Sequence, residues 1–345
     1  MGESPLLTQG VRRVHRRLLV VLLTIVVASS VVAGYFILAA PPRPPVEGQA
    51  RYPVAYHPPI TLASNGDFTK PGAGSGCECV RSGSGRQEDP YLISDWIINS
   101  TEGDGVIVSG TTTHFLINRL VLSGSSSGRG VYMENMENGV VSNSRITGWW
   151  FGMYVFQSSN LEFINNTVTG NQYGIQLEAS HDNKLISNRF DQNGQLGIFV
   201  RGSNNVLKDN SATRNGFGGI NVDGTAGSAD DNQLEDNIVS ENRVYGVAVW
   251  RGHGNLLKSN TVARNNGTGI MFTDHSAKNL VEANTVSYNV GGGIVLIDGS
   301  SGNTIRGNTA LKNGDGVNYF DLYDSGSDNI WQNNTYETKK PDSIG

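Results

Sequence analysis

Cysteine and charged residues are scarce in this 345-residue chain, and both scarcities narrow its class. The two cysteines, Cys77 and Cys79, are too few for a disulfide scaffold, and a bridge across one intervening residue would be strained. Charged residues make up 17% of the chain, which argues against a helical bundle and against a charge-driven disordered chain. The 44 glycines show no three-residue period, which excludes collagen. Asparagine, at 35 residues, is abundant instead, and a strand-rich, turn-rich body remains.

The charge is unevenly distributed along the chain. Residues 1–40 hold four arginines and one glutamate, a net charge of +3. Since the whole chain has a net charge of −5, the remaining residues carry −8. A body with this negative balance is not expected to bind nucleic acid.

One long apolar run predicts a membrane-spanning helix. Residues 18–40 contain no formal charge, and 23 residues suffice to cross the ~30 Å hydrocarbon core. The basic residues before this run place residues 1–17 in the cytoplasm and the remainder outside the cell membrane. A cleaved signal peptide is the alternative, but the run exceeds the usual length of about 7–15 residues and lacks a good cleavage site.

The remainder of the chain is an internal repeat. A glycine followed by an aliphatic residue recurs at steps of 22–27 residues, at Gly105, Gly130, Gly152, Gly174, Gly197, Gly219, Gly246, Gly269, Gly293 and Gly316. From Gly130 on, every unit also holds two asparagines five residues apart: Asn138/Asn143, Asn160/Asn165, Asn183/Asn188, Asn205/Asn210, Asn232/Asn237, Asn255/Asn260, Asn279/Asn284, Asn303/Asn308 and Asn329/Asn334. Such a period is typical of a solenoid, a propeller or an array.

Within each unit the hydrophobic pattern has a period of two, which predicts short strands. The first and third residues after the glycine are apolar, as in Ile220 and Val222. A second strand lies between the paired asparagines, and a third follows them. Three short strands per turn cannot bury their apolar faces alone, but coils stacked ~4.8 Å apart form a continuous core. The sequence therefore predicts an all-β parallel β-helix of about ten coils, preceded by one transmembrane helix.

These segments give the expected domain organisation. The predicted order is a cytoplasmic tail (1–17), a membrane anchor (18–40), a proline-rich extended stalk (41–59), an N-terminal cap and first coil (60–104), the β-helix repeats (105–336) and a C-terminal tail (337–345).

The asparagines and one charged column are interpreted as architecture. Asparagine tolerates the left-handed backbone at corners, and stacked amides can hydrogen-bond from coil to coil. The residue three after the first asparagine alternates in charge, which predicts attraction between neighbouring coils. This column consists of Lys208, Glu235, Lys258, Glu282 and Arg306.

The unit Gly-Ile-x-Val followed by Asn-x-Leu-x-x-Asn-x-Val resembles the right-handed parallel β-helix repeat of NosD-like proteins, also described as carbohydrate-binding and sugar-hydrolase repeats. Residues 83–99 are similar to the segment that opens the helix in many prokaryotic surface proteins of this type. The resemblance implies a surface or periplasmic right-handed, single-stranded β-helix, in a family that includes lyases, epimerases and glycosidases. Namesake members assist copper enzyme maturation, but the scattered histidines and methionines of this chain predict no metal site.

The outward positions of the first strand form the candidate binding surface. Aromatic, carboxylate and arginine side chains follow each other there over about six coils, or ~25 Å. The candidate ligand-binding residues are Tyr132, Tyr154, Phe156, Glu178, Phe199, Arg201, Asp223 and Trp250. Sugar rings stack on aromatic faces while their hydroxyls need polar partners, so this stripe predicts glycan binding. Packing of the aromatics under a loop or against a protein partner is the alternative.

An enzymatic alternative rests on Glu178, Arg201 and Asp223. The two carboxylates, two coils apart, would meet the separation of about 5–10 Å that glycosidases need. The same triplet suits a lyase, in which carboxylates hold a calcium ion and the arginine acts near a uronate. No catalytic residue is assigned, because any solenoid with a partly charged column offers such a triplet.

Three other features are interpreted as structural. Asp274 and Asp298, with His253 and His275, are expected to be solvated turn residues rather than metal ligands. The cysteines are expected to pack in the cap. Residues 223–232, an insertion in the 27-residue step, predict a polar loop that borders the stripe.

Taken together, the sequence predicts a single-pass membrane protein whose extracytoplasmic β-helix binds a glycan or serves as an envelope structural or adhesion module. The alternative is a membrane-tethered polysaccharide lyase, epimerase or glycosidase. No cofactor is expected, apart from calcium in the lyase case.

Overall fold

The computed structural model describes residues 54–69, 77–125 and 127–344. The predicted cytoplasmic tail (1–17) and membrane helix (18–40), and most of the predicted stalk, lie outside the described residues. Within the described ranges, no helix is long and apolar enough to span a membrane. The secondary structure of this part is almost entirely strand, with one 3-10 helix at Asn65–Phe68.

The strands stack into three faces, and all neighbours are parallel except the antiparallel pair Val80–Ser82 and Tyr91–Ser94. The first face is a sheet of twelve strands: Ile60–Leu62, Val106–Ser109, Arg129–Glu134, Phe151–Phe156, Tyr173–Glu178, Ile198–Arg201, Gly218–Asp223, Tyr245–Trp250, Thr268–Thr273, Ile294–Leu296, Leu322–Asp324 and Lys339–Lys340. The second face also has twelve: Val80–Ser82, Tyr91–Ser94, Phe115–Asn118, Gly139–Ser142, Glu162–Ile164, Lys184–Ile186, Val206–Lys208, Gln233–Glu235, Leu256–Lys258, Leu280–Glu282, Thr304–Arg306 and Ile330–Gln332. The third face has a sheet of five (Ala55–Tyr56, Trp96–Asn99, Val121–Ser123, Arg145–Thr147, Thr167–Val168) and a sheet of six (Ser211–Thr213, Ile238–Ser240, Thr261–Ala263, Thr285–Ser287, Thr309–Leu311, Thr335–Tyr336).

The predicted parallel β-helix is confirmed in the described residues. Ten first-face strands run from Val106–Ser109 to Leu322–Asp324, which is the predicted number of coils. Corresponding residues of successive coils pair in register, so Ile198 lies opposite Ile220, and Leu207 of the second face opposite Leu234. These apolar side chains are at most 1% exposed. Stacking therefore converts a period-two pattern into one continuous core.

Buried asparagines form three ladders along this core. The first consists of Asn183, Asn205, Asn232, Asn255, Asn279, Asn303 and Asn329. The second consists of Asn166, Asn188, Asn210, Asn237, Asn260, Asn284, Asn308 and Asn334. The third, which the paired-asparagine pattern did not include, consists of Asn171, Asn193, Asn215, Asn242, Asn265, Asn289 and Asn313. Each ladder joins the side-chain amide of one coil to the Oδ1 of the next.

The expectation that one asparagine serves both as corner and as ladder residue is confirmed for Asn143 and Asn165 and is wrong for the later coils. Asn165 Nδ2 donates to Asn143 Oδ1 at 2.8 Å, and Asn143 Nδ2 donates to Asn118 Oδ1 at 2.9 Å. Asn143 and Asn165 have φ values of 52° and 54° and lie in the left-handed region at the surface. In later coils that conformation belongs to the residue before the ladder asparagine, such as Ser187 before Asn188. In these later coils, corner and buried ladder are neighbouring positions with different demands, because the corner must tolerate positive φ and the ladder must bury an amide.

Two ends of the repeat differ from the sequence pattern. Gly316 is not the glycine of a first-face strand, because Leu322, not Val317, pairs with Ile294. Val317 is 74% exposed and lies on a loop, although Gly316 keeps the spacing of the repeat. At the other end, Cys77 and Cys79 form a disulfide across one intervening residue, and Cys79 is buried in the core as expected for cap packing.

The alternating charged column is confirmed in part. Lys208 Nζ lies 3.5 Å from Glu235 Oε2, and Arg306 Nη2 lies 3.2 Å from Glu282 Oε2. These side chains are partly exposed, so each pair contributes little to stability and mainly opposes a slipped register.

Candidate functional site

All eight predicted ligand-binding residues lie on the outward side of the first face. Register pairing stacks Tyr132 and Tyr154 in one column, which continues through Gln176 and Phe199. A second column stacks Phe156, Glu178 and Arg201, and it continues with Asp223 and Trp250. Period-two alternation explains this placement, because the intervening residues of each strand point into the core.

The aromatic residues of this face make a continuous run from coil to coil. The rings of Tyr132 and Tyr154 stack with centroids 5.9 Å apart. Phe151 bridges Tyr154 at 4.9 Å and Tyr173 at 5.1 Å, and Trp150 contacts Tyr173 at 6.4 Å. We call Tyr132, Tyr154, Phe151, Tyr173 and Trp150 the aromatic run. Arg129 Cζ lies 3.5 Å over the Tyr132 ring, and the remaining rings are partly or fully exposed along the solenoid axis.

Next to the aromatic run lies an ion-pair cluster formed by Glu178, Arg201 and Asp223. Arg201 Nη1 is 3.4 Å from Glu178 Oε2, and Arg201 Nη2 is 3.1 Å from Asp223 Oδ2. The guanidinium also lies over the ring of Phe199, with Cζ 4.6 Å from its centroid. The structure thus brings together the triplet predicted from sequence, with the arginine between the two carboxylates.

The aromatic run continues into a small apolar cluster outside the main core. This cluster consists of Leu196, Phe199, Tyr245 and Ala248, with Tyr173 and Met271 packed against it. Phe199 is therefore buried, and Asp223 beside the cluster is only 7% exposed, while Trp250 stays exposed. Packing of aromatics against one another accounts for this burial.

Sequence reasoning missed Phe151, Tyr173 and Tyr245. All three stand immediately before the repeating glycine. The columns predicted from sequence included only outward positions that follow this glycine. At that corner both the glycine and the residue after it face the core. A Cβ added at Gly246, for example, would touch Val262 of the core. The residue before the glycine therefore points outward. Reading one position further back would have found the aromatic signal.

Burial and neighbouring carboxylates raise the pKa of three phenols on this face. Burial and the hydrogen bond to Glu134 raise the pKa of Tyr132, and burial and the charge of Glu178 raise the pKa of Tyr154. Burial, reinforced by the charge of Asp223, raises the pKa of Tyr245 most strongly. These hydroxyls therefore act as hydrogen-bond donors at all ordinary pH values.

The insertion loop and the second acidic cluster are also placed by the structure. Thr225 of the insertion donates its backbone N–H to Asp223 Oδ1 at 2.8 Å, so this loop borders the ion-pair cluster.

His253 contacts Asp230 rather than Asp274, at 3.1 Å, and His275 is 76% exposed. The predicted grouping of these histidines with Asp274 and Asp298 is not a single cluster.

The fold and its surface define a class, the right-handed parallel β-helix proteins. Residues 81–232 match the family described as right handed beta helix region, and residues 195–341 match the family described as periplasmic copper-binding protein (NosD). The chain belongs to the NosD-like parallel β-helix repeat family. No curated protein matches the chain significantly.

Solved structures with the same fold have low sequence identity. The Dettilon tailspike protein (gp208) is 16% identical with a TM-score of 0.58, covering 83% of this chain and 61% of its own. The Azotobacter vinelandii mannuronan C-5 epimerase AlgE6 A-module is 17% identical with a TM-score of 0.55, covering 82% and 90%. The periplasmic alginate epimerase AlgG is 15% identical with a TM-score of 0.55, covering 71% and 77%. At this identity the likeness shows the fold alone.

The donor groups of the described residues do not fit the copper of the family description. No group of three or more histidine, cysteine, aspartate or glutamate side chains is placed to hold a metal ion in this part of the chain. The thiols of Cys77 and Cys79 are joined in a disulfide, and Met133 and Met153 are fully buried in the core. These thiols and thioethers are therefore not available to a soft metal ion.

Proposed function

We propose that the chain is an extracytoplasmic polysaccharide-binding protein that binds a glycan along the first face of its β-helix. The observation that carries this proposal is the aromatic run lying beside the ion-pair cluster. Sugar rings stack on phenol and indole faces, and the adjoining carboxylates and guanidinium offer partners to hydroxyls. Six coils from Tyr132 to Trp250 span ~24 Å, enough for several sugar units.

The comparisons support this function without fixing its details. The solved relatives named above include two epimerases of polysaccharides and a phage tailspike on the same architecture. The periplasmic family description supports an extracytoplasmic location. Anchoring through the apolar residues 18–40 is part of the proposal and rests on the sequence alone.

Binding is tested by retention of polysaccharides on the full-length chain purified in detergent. We expect Tyr154→Ala to weaken binding about tenfold, because it removes the ring between Tyr132 and Phe151 and with it a stacking surface. Affinity electrophoresis over a panel of neutral and acidic polysaccharides measures the change.

The matched control is Tyr288→Ala. Tyr288 is 50% exposed at the corner that follows the third-face strand Thr285–Ser287, where its hydroxyl accepts a hydrogen bond from Lys312 Nζ. Equal losses in both variants would count against the first face as the binding surface, and retention of no polysaccharide by the unmodified chain would contradict the function itself.

A polysaccharide-cleaving or epimerising enzyme is the second candidate, favoured by the assembled Glu178–Arg201–Asp223 cluster. The geometry supports it less well, because the guanidinium occupies the space where a scissile oxygen or a water would lie between two catalytic carboxylates. We expect no new reducing or unsaturated ends and no inversion at C5 of the sugar units in any polysaccharide. New ends or inverted units that disappear in Glu178→Gln or Asp223→Asn would establish the enzyme instead.

A further inference from the structure

One aromatic ring of the first face lies between two carboxylates. Phe156 pairs in register with Glu134 on the coil before it and with Glu178 on the coil after it. Adjacent coils are ~4.8 Å apart, so the backbones of the two glutamates are about 10 Å apart along the solenoid axis, one on either side of the ring. All three side chains are partly exposed, with 21% of the Glu178 side chain accessible, so a ligand reaches them from outside.

The ring of Phe156 has no stacking partner from the chain. Elsewhere on this surface the chain places its own guanidinium groups over rings. Arg129 Cζ lies 3.5 Å from the centroid of Tyr132, and Arg201 Cζ lies 4.6 Å from that of Phe199. Within the described residues, neither a ring nor a cationic group stacks on Phe156. This ring therefore offers its exposed part to a cation from outside the chain.

The two arginines of this surface are held by other carboxylates. Arg129 Nε donates to Asp104 Oδ1 at 3.0 Å, and Arg129 Nη2 donates to Asp104 Oδ2 at 2.5 Å. Arg201 Nε and Nη2 donate to Asp223 Oδ2 at 3.2 and 3.1 Å, whereas the contact of Arg201 with Glu178 is longer, at 3.4 Å. Glu178 is therefore only partly neutralised.

Glu134 forms no ion pair in the part of the chain that the structure describes, and its carboxylate accepts a hydrogen bond from the neutral hydroxyl of Tyr132. The outward positions of the first-face strands from residue 106 to residue 250, together with Asp104, hold four carboxylates and two guanidinium groups, a net charge of −2. This excess lies at Glu134 and Glu178, because the other two carboxylates hold the arginines. Residues 41–345 carry −8 in total, which also attracts a positively charged polymer at longer range.

A protonated amino group on a sugar matches this arrangement. An ammonium group donates three hydrogen bonds, is attracted by the face of an aromatic ring and pairs with carboxylates. An N-acetylated amine carries no charge, and the carboxylate of a uronate would be repelled by Glu134 and Glu178. The aromatic run beside Phe156 stacks on the sugar rings in every case.

We propose that the glycan bound by the first face carries free amino groups, and that one of its ammonium groups lies over Phe156 between Glu134 and Glu178. This inference rests on the proposed function and names the substrate class of the same surface. A cationic polysaccharide differs from the mannuronan named for one of the solved relatives. The N-acetylated form of the same polysaccharide still stacks on the aromatic run, so it binds as well, but more weakly.

The test compares oligosaccharides that differ only in acetylation of the amine. Hexamers of β-1,4-glucosamine, β-1,6-glucosamine and α-1,4-galactosamine, and their N-acetylated counterparts, are titrated into the full-length chain in detergent by calorimetry. The pH is kept below the pKa of the sugar amine and above ~4.3, the pKa of glutamate. We expect at least one amino hexamer to bind about tenfold more tightly than its counterpart, and to lose most of this preference at about 1 M salt. Equal affinities within every pair would overturn the proposal.

Glu134→Gln removes one charge and keeps an acceptor for the Tyr132 hydroxyl. We expect it to weaken binding of the amino hexamer about tenfold and to leave binding of the N-acetylated hexamer unchanged. Glu241→Gln is the matched control, because Glu241 is exposed at the corner after the third-face strand Ile238–Ser240 and loses the same charge away from Phe156. Equal losses in both variants would show an effect of net charge alone, and the site at Phe156 would be wrong.

The outcomes also distinguish this inference from the proposed function. If amino and N-acetylated hexamers bind equally, and Tyr154→Ala weakens both while Glu134→Gln weakens neither, the glycan-binding function stands and the amino-sugar site is wrong. If a hexamer of lysine binds as tightly as the amino hexamer and competes with it, the surface is a general cation site and the assignment to a sugar is wrong. If no hexamer binds, this inference is wrong, and retention of the polysaccharide panel decides the function separately.

Discussion

Replacing Asn265 by alanine is expected to destabilise the β-helix by about 3–5 kcal/mol. Asn265 is fully buried, and its Oδ1 accepts hydrogen bonds from both the backbone N–H and the Nδ2 of Asn242, at 3.0 and 2.9 Å. Its own Nδ2 donates to Asn289 Oδ1 at 2.9 Å and to Val239 O at 3.3 Å. Alanine would therefore leave the backbone N–H of Asn242 without this acceptor and remove hydrogen bonds to both adjacent coils, at a position with no solvent exposure.

Asn266→Ala provides a control one residue away. Asn266 is exposed, and a substitution there should change stability by no more than about 0.5 kcal/mol. Urea unfolding followed by circular dichroism compares the two variants, and hydrogen exchange reports on the backbone N–H of Asn242 directly. Equal urea midpoints for the two variants would show that the ladders do not carry this stability.

The repeat could be predicted from sequence because stacking makes each coil obey the same rule. Ile198, Ile220 and Val247 occupy one column, so a residue type that the core demands once is demanded in every coil. The same logic would have revealed the third ladder, since Asn242 and Asn265 follow the second asparagine of their units by five residues. The sequence pattern was present there but was not used.

Irregular positions were harder to predict because no neighbouring coil repeats them. Gly316 satisfies the glycine-aliphatic pattern, yet it turns with a φ of 70° in a loop, and the strand begins at Leu322. Asn165 occupies a corner with positive φ, whereas Asn188, the second asparagine of the next unit, follows the corner residue and lies in the buried ladder. This shift by one residue leaves the five-residue spacing within each asparagine pair unchanged. Period alone cannot distinguish positions whose spacing is the same but whose backbone conformation differs.

The sequence predicted which residues of the candidate site point outward, but not how deeply each of them is buried. Alternation places Glu178, Arg201 and Asp223 on the outward side, and the structure adds the ion pairs between them. Burial of Phe199 depends on Tyr245, which reaches across Gly218 from the next coil. A contact of this kind depends on side-chain direction and on the absence of a Cβ, so a column-by-column reading does not show it.

Replacing Gly219 by alanine is expected to destabilise the protein by about 3 kcal/mol, although only one methyl group is added. A Cβ at this position would lie 2.3 Å from Val239 Cγ1 and 2.8 Å from both Gly246 O and Asn242 Nδ2. The first contact is core packing, the second is backbone of the next coil and the third is a ladder amide, so none of them can move without disturbing another coil. The need for glycine at this corner is therefore steric and recurs in the coils from Gly105 to Gly293, whereas Asp321 takes the position in the coil of Leu322.

Gly227→Ala isolates this steric cause, because the added Cβ at Gly227 would have nothing within 4 Å. Gly227 lies in the insertion of the 27-residue step, and alanine there should be neutral or stabilise by up to about 1 kcal/mol through the unfolded chain. The measurement is the urea midpoint of the two variants side by side. A Gly219→Ala protein as stable as Gly227→Ala would mean that adjacent coils separate easily, and the repeated glycine would then need another explanation than close packing between coils.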